Sequence, residues 1–220
     1  MRLQKSAGMC RSYFLLTALL PLLLLPAVAA AQDSQTAPSN PTTQDGRRFD
    51  AAVSAFYQVT NASNGNSIRE DTSESVGGLA SFRQPYKPWL GYEVNYGYTK
   101  YSEFYGKGAF TVQDNVHEFT AAYLLQTARK YYGFQPFLTV GTGVIVFAPT
   151  SGGGNGRSSQ TLPLFTYAVG VNHLVLSDHI GVRVQYRAVK YKTPSFGEFQ
   201  LDSQTLRTTM EPTIGAYFRF

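Results

Sequence analysis

The closing stretch Met210-Glu211-Pro212-Thr213-Ile214-Gly215-Ala216-Tyr217-Phe218-Arg219-Phe220 splits into two faces. Met210, Pro212, Ile214, Ala216, Phe218 and Phe220 make one. Glu211, Thr213, Gly215, Tyr217 and Arg219 make the other, which Thr209 and Arg207 continue upstream. Side chains of an extended chain point to alternate sides, so an apolar residue at every second place marks a strand. The same period recurs upstream. Ile180, Val182, Val184 and Tyr186 alternate with Gly181, Arg183, Gln185 and Arg187, and Phe165, Tyr167, Val169 and Val171 with Thr166, Ala168, Gly170 and Asn172. Residues 138–144, 119–126 and 91–99 repeat it, and two less regular segments, 49–60 and 76–84, bring the number to eight.

The composition agrees with strands. Of 220 residues 15% are charged, against about 25% in an average globular chain, while 14% are aromatic and 20 are glycine. Gly, Tyr, Phe and Thr form helices less readily than Ala, Leu or Glu, which excludes a helical bundle. So much aromatic surface would collapse, which excludes a disordered chain. The formal charge is +5, but Arg2, Lys5 and Arg11 belong to a leader. Without them 16 bases face 14 acids, a balance of +2 that gives no footprint for nucleic acid.

Residues 1–31 have the build of a secretory signal peptide: the three bases, an apolar core from Tyr13 to Leu25, and Ala29-Ala30-Ala31 before a cut. The core falls short of the roughly 20 residues a bilayer demands, and Pro21 and Pro26 interrupt it. The one cysteine, Cys10, lies upstream of that core, so the mature chain carries no thiolate. Residues 32–46, QDSQTAPSNPTTQDG, hold no aromatic residue and read as a flexible tail outside a domain spanning 47–220.

Connections between the eight segments alternate in length. Short ones fall at 84–88, 128–133 and 177–179, and longer ones, rich in Gly, Ser, Asn and Asp, at 61–75, 103–108, 150–160 and 193–203. An up-and-down meander gathers the long ones at one end and both termini at the other, the asymmetry of transmembrane barrels. A soluble barrel would turn its apolar face inward. Here the other face is mainly small and neutral, most segments reach the length that crosses a bilayer at a tilt, and Tyr57, Tyr98, Phe218 and Phe220 sit toward strand ends as an interfacial girdle would. The expected fold is all-β: an eight-stranded antiparallel up-and-down transmembrane β-barrel with its apolar face outside.

The C-terminal pattern, Ile214, Ala216, Phe218 and the terminal Phe220, resembles the assembly signal of small outer-membrane β-barrel proteins of the OmpA/OmpX-like family. Residues 77–85, GGLASFRQP, resemble the second strand of such barrels, and residues 135–143, QPFLTVGTG, the fifth. The resemblance covers 47–220. It implies a bacterial outer-membrane location with the N-terminal tail and C-terminus periplasmic, contact with outer-membrane lipid, and handling by the barrel-assembly machinery. It also implies ligand-presenting loops at 61–75, 103–108, 150–160 and 193–203. OmpA itself continues into a peptidoglycan-binding domain, whereas this chain stops at the eighth strand, so wall anchoring is not expected.

Arg83, Glu93, Glu118, Arg183, Arg187, Arg207, Glu211 and Arg219 share the inward parity. An eight-stranded barrel has room only for its own side chains, and buried charges exist mostly as pairs. The expected role of the set is therefore an ion-paired filling, with no selectivity ring and no catalytic carboxylate pair. Arg187 should oppose Glu211, with Arg183 and Arg207 sharing that carboxylate, and Arg83 should meet Glu93 diagonally. His117, His173 and His179 are expected at different strand ends, which argues against a metal site. Among outer-membrane enzymes of this size, lipid A deacylases carry His-x-Ser on one strand, but His117 is followed at plus two by Phe119. Palmitoyl transferases use His, Ser and Asp, for which His117 with Ser102 is the nearest candidate. The expectation is a non-catalytic protein without cofactor or nucleic-acid partner, acting in structure or surface interaction. A small porin-like channel is the alternative, and a lipid-modifying enzyme the remoter one. If Phe220 completes the assembly signal, its deletion should lower the amount of protein in the outer membrane while export to the periplasm continues, as fractionation and immunoblotting would show. Unchanged outer-membrane levels would contradict the assignment.

Overall fold

The structure is a computed structural model that describes residues 49–66, 68–176, 179–198 and 201–220. The expected signal peptide and tail, 1–31 and 32–46, lie outside the described residues. The strands are β1 (Asp50–Thr60), β2 (Ser63–Gly65), β3 (Ile68–Thr72), β4 (Ser75–Lys87) and β5 (Leu90–Tyr105), followed by β6 (Phe110–Gln126), β7 (Phe134–Pro149), β8 (Gln160–Leu176), β9 (Ile180–Lys192) and β10 (Leu206–Arg219). β1 and β4 to β10 pair antiparallel in chain order, and β10 returns to β1, with Ala51 opposite Phe218 and Thr60 opposite Thr209. The result is a closed eight-stranded barrel. A small hairpin of β2 and β3 joins its rim by pairing β3 with β5.

Along most of the barrel the outward residues are apolar and exposed, among them Val53, Phe82, Val94, Tyr123, Val169, Val184 and Ile214. The inward ones are buried and polar, including Ser54, Gln58, Asn95, Thr120, Thr166 and Gln185. Lipid rewards apolar side chains and cannot hydrogen-bond a strand edge, so only a closed barrel satisfies every strand.

At the long-loop end the period of two persists but the faces exchange character. Lys100, Gln113, Asn115, Lys190 and Lys192 now stand on the outward parity, while Tyr101, Tyr105, Val112, Val116, Ile145, Phe147, Val189 and Tyr191 form an apolar cluster inside. This is the pattern of a water-soluble barrel, and the exchange marks where the strands leave the apolar band. It also explains two corrections. Residues 103–108, expected as a loop, are in their first part the end of β5, leaving only a turn of 3-10 helix at Gly106–Gly108. Residues 61–75, also expected as a loop, contain the β2–β3 hairpin. Alternation with inverted polarity had hidden the extension of β5.

On β7, Gly141 and Gly143 lie against β6 so closely that side chains are excluded. A Cβ on Gly143 would stand 1.9 Å from the Phe119 carbonyl oxygen, whereas one on Gly78 would meet nothing within 4 Å. Gly143→Ala should therefore destabilise the barrel by roughly 1–3 kcal/mol through overpacking. Gly78→Ala should stay within about 0.5 kcal/mol of the parent. Urea unfolding in lipid vesicles measures both.

Candidate functional site: the barrel interior

The inward charges stand in three layers. Nearest the short turns, Arg83 of β4 lies directly opposite Glu93 of β5 and is ion-paired to it. The expected diagonal placement is corrected: β4 runs on to Lys87, so the turn is centred later than residues 84–88 suggested. Arg183 of β9 reaches across the lumen to Asp50 of β1 at 2.6 Å and also donates to Asn172 at 2.8 Å and Ser81 at 3.1 Å. The Arg83 guanidinium lies 4.0 Å over the Phe137 ring, and that of Arg183 5.1 Å over Tyr217.

The middle layer is Arg187 between two carboxylates. Arg187 and Glu211 are opposed in the β9–β10 register and ion-paired, and the same Nη1 lies 2.8 Å from Glu118 of β6. The expected neighbourhood of Arg187 and Glu211 is therefore present, but Arg183 and Arg207 do not share that carboxylate. Each is four residues along its strand from the pair, about 13 Å at the strand rise, and each has carboxylates of its own.

The third layer, at the long-loop end, holds Arg207 of β10 between Glu103 of β5, at 2.6 Å and 2.9 Å, and Glu70 of β3, at 3.1 Å. All three are fully buried. Arg219, expected in the network, instead stands half-buried at the short-turn rim with its guanidinium 5.6 Å over the Tyr217 ring. Rim position is the reason, since it is the penultimate residue and Asp50, opposite it, is taken by Arg183.

Sequence reasoning missed Asp50, Glu70, Glu103 and Asp114. Glu103 shares the odd parity of Glu93, Asn95 and Thr99 and was findable by extending that strand. Glu70 had no such signal. Asp114 sits above the apolar band, where β6 turns Gln113 and Asn115 outward, and both its carboxylate oxygens are buried with no hydrogen-bond partner among the described residues.

Around the third layer the apolar cluster fills the long-loop end of the bore, with Tyr101 and Val189 on the inner side of that layer and Tyr105 beyond it. Phe196 and Leu201 of the 193–205 connection pack onto Phe147, Tyr191 and Tyr105. The connection is held there by the Gln160 side-chain oxygen, which accepts from the amides of Ser195 and Phe196, and by the Tyr105 hydroxyl, which donates to the Pro194 carbonyl at 3.0 Å. Arg157 forks onto Glu198 with both contacts at 3.2 Å.

The histidines stand apart from the lumen. The Nδ1 of His117 is 2.9 Å from the Tyr96 hydroxyl, His173 stacks on Phe134, and His179 on Phe218. Ser102 lies opposite Gln113, four residues along β6 from His117. Among the described residues no group of three or more metal-ligating side chains comes together.

The middle layer gives an asymmetric expectation. Losing Glu211 leaves Arg187 with Glu118, whereas losing Arg187 leaves two buried carboxylates facing each other. Arg187→Met should cost roughly 3–5 kcal/mol, Glu211→Leu less, and the double variant less than the sum of both. Urea unfolding in vesicles reads the cycle, and additive effects would show that the two side chains do not interact.

The fold has known relatives. Neisserial surface protein A superimposes with a TM-score of 0.55 at 15% identity, over 79% of this chain and 97% of that one. The outer membrane protein OprG from Pseudomonas aeruginosa gives 0.51 at 14% identity, over 79% and 96%. No curated protein sequence matches the chain. The family described as outer membrane protein beta-barrel domain matches residues 17–220. With its closed barrel, apolar exterior and polar filling, the chain belongs to the outer membrane protein β-barrel domain family, and its place is the bacterial outer membrane.

Proposed function

We propose that the protein is a non-catalytic, closed barrel that stabilises the outer membrane and presents its long connections to partners outside the cell, with both termini on the periplasmic side. The observation that carries this reading is the interior, where three charged layers span the bore and an apolar cluster packs around the one at the long-loop end. Arg83, Arg183, Arg187 and Arg207 each reach carboxylates on other strands, and Phe147, Tyr191 and Phe196 close the long-loop end. A bore so occupied favours a scaffold over a porin-like conduit. His117 engaged with Tyr96 rather than with Ser102 favours it over a lipid-modifying enzyme.

The test is electrical. The refolded protein in planar bilayers, at high salt and moderate voltage, should give no discrete conductance steps. Reproducible ohmic openings would overturn the reading in favour of a small channel.

A further inference from the structure

On β9 the outward residues Ile180, Val182, Val184, Tyr186 and Ala188 climb through the apolar band, and the next two outward places are the exposed Lys190 and Lys192. The register sets Lys190 between Phe165 of β8 and Thr208 of β10, and Lys192 opposite Leu206. Both ammonium groups thus stand one and two places above the ring of Tyr167, Ala188 and Met210, at the level of lipid headgroups. Lys192 lies 3.6 Å from Asp202, and among the described residues Lys190 has no carboxylate within 4.0 Å.

Immediately across β10 from the lysines is a groove of about 320 Å³ between the end of β1, β2 and the start of β10. Asn61, Asn64 and Thr208 line it with amides and a hydroxyl, Ser63 and Thr205 line it with hydroxyls bonded to each other, and Leu206, 66% exposed, stands between it and Lys192. A polar groove beside two cations, directly above an apolar wall, carries three kinds of recognition in one vertical strip.

We infer that this strip binds a phosphorylated glycolipid of the outer leaflet. Its phosphate meets Lys190 and, in competition with Asp202, Lys192. Its sugar hydroxyls meet the amides and hydroxyls of the groove, and its acyl chains descend over Met210, Tyr186 and Val184. An anionic glycerophospholipid satisfies the lysines and the apolar wall but has no sugar to fill the groove, so the groove selects the glycolipid. The inference rests on the long-loop end facing outward in the cell, as proposed above. In detergent the lipid reaches both ends, so the binding experiment tests the site independently of orientation and of conductance.

The experiment is a calorimetric titration of the detergent-folded barrel with lipid A, with monophosphorylated lipid A and with phosphatidylglycerol. The parent should prefer lipid A to phosphatidylglycerol. Lys190→Gln should weaken lipid A by about fivefold, the worth of one cation near an anionic surface. Lys190→Gln combined with Lys192→Gln should weaken it further and remove the difference between lipid A and its monophosphorylated form. Asn61→Ala combined with Asn64→Ala should abolish the preference over phosphatidylglycerol while leaving binding of phosphatidylglycerol unchanged. Equal binding of lipid A and phosphatidylglycerol by the parent would overturn the sugar groove. Undiminished lipid A binding by the double lysine variant would overturn the phosphate contact. All the substituted side chains are exposed. Should the lysine pair fail to fold, the asparagine pair still decides the groove and the single Lys190 variant the phosphate.

Discussion

Return of β10 onto β1 is the contact on which everything else in this molecule depends. In lipid an unpaired strand edge has no water to satisfy it, so a chain of eight strands is stable only as a cycle. Closure makes two environments with opposite rules. Outside, apolar side chains face hydrocarbon, as Val53, Val94 and Ile214 do. Inside, the bore is too narrow for bulk water, so polar groups sealed there depend on one another for their hydrogen bonds.

The charged layers answer that second demand. Each of these arginines reaches a carboxylate on another strand: Arg83 meets Glu93, Arg183 crosses to Asp50, Arg187 joins Glu118 to Glu211, and Arg207 joins Glu70 to Glu103. Breaking such a group strands a buried charge, so these layers hold register as well as shape. They also occupy the bore at three levels, from Arg83 near the short turns to Arg207 near the long connections.

The end bearing the long connections obeys different physics. Once the strands leave the apolar band, water surrounds them, and the barrel turns its apolar residues inward as a soluble sheet does. Tyr101, Val112, Phe147 and Tyr191 then make a core that accepts Phe196 and Leu201 from the 193–205 connection. The same boundary gathers Lys190 and Lys192 beside the polar groove at β10. One chain thus carries a membrane protein and a small water-facing cap on the same strands.

The alternation of long and short connections does not hold throughout, since the link 106–109 is shorter than 127–133. Period and parity were enough to determine the eight barrel strands and the inward set that includes Arg83, Glu93, Arg187 and Glu211. These follow from local chain geometry, because side chains alternate whatever the strand pairs with. The opposition of Arg187 and Glu211 followed too, because a hairpin's register is set by the connection between its strands. Partners that meet across the bore were beyond the sequence. Asp50 with Arg183, and Glu70 with Arg207, are 133 and 137 residues apart and belong to no common hairpin. Only closure of the sheet brings them face to face. The inversion of polarity along β5, β6 and β9 escaped for a related reason. A period of two says that faces alternate, but which solvent each face meets is decided by where the closed barrel stands in the membrane.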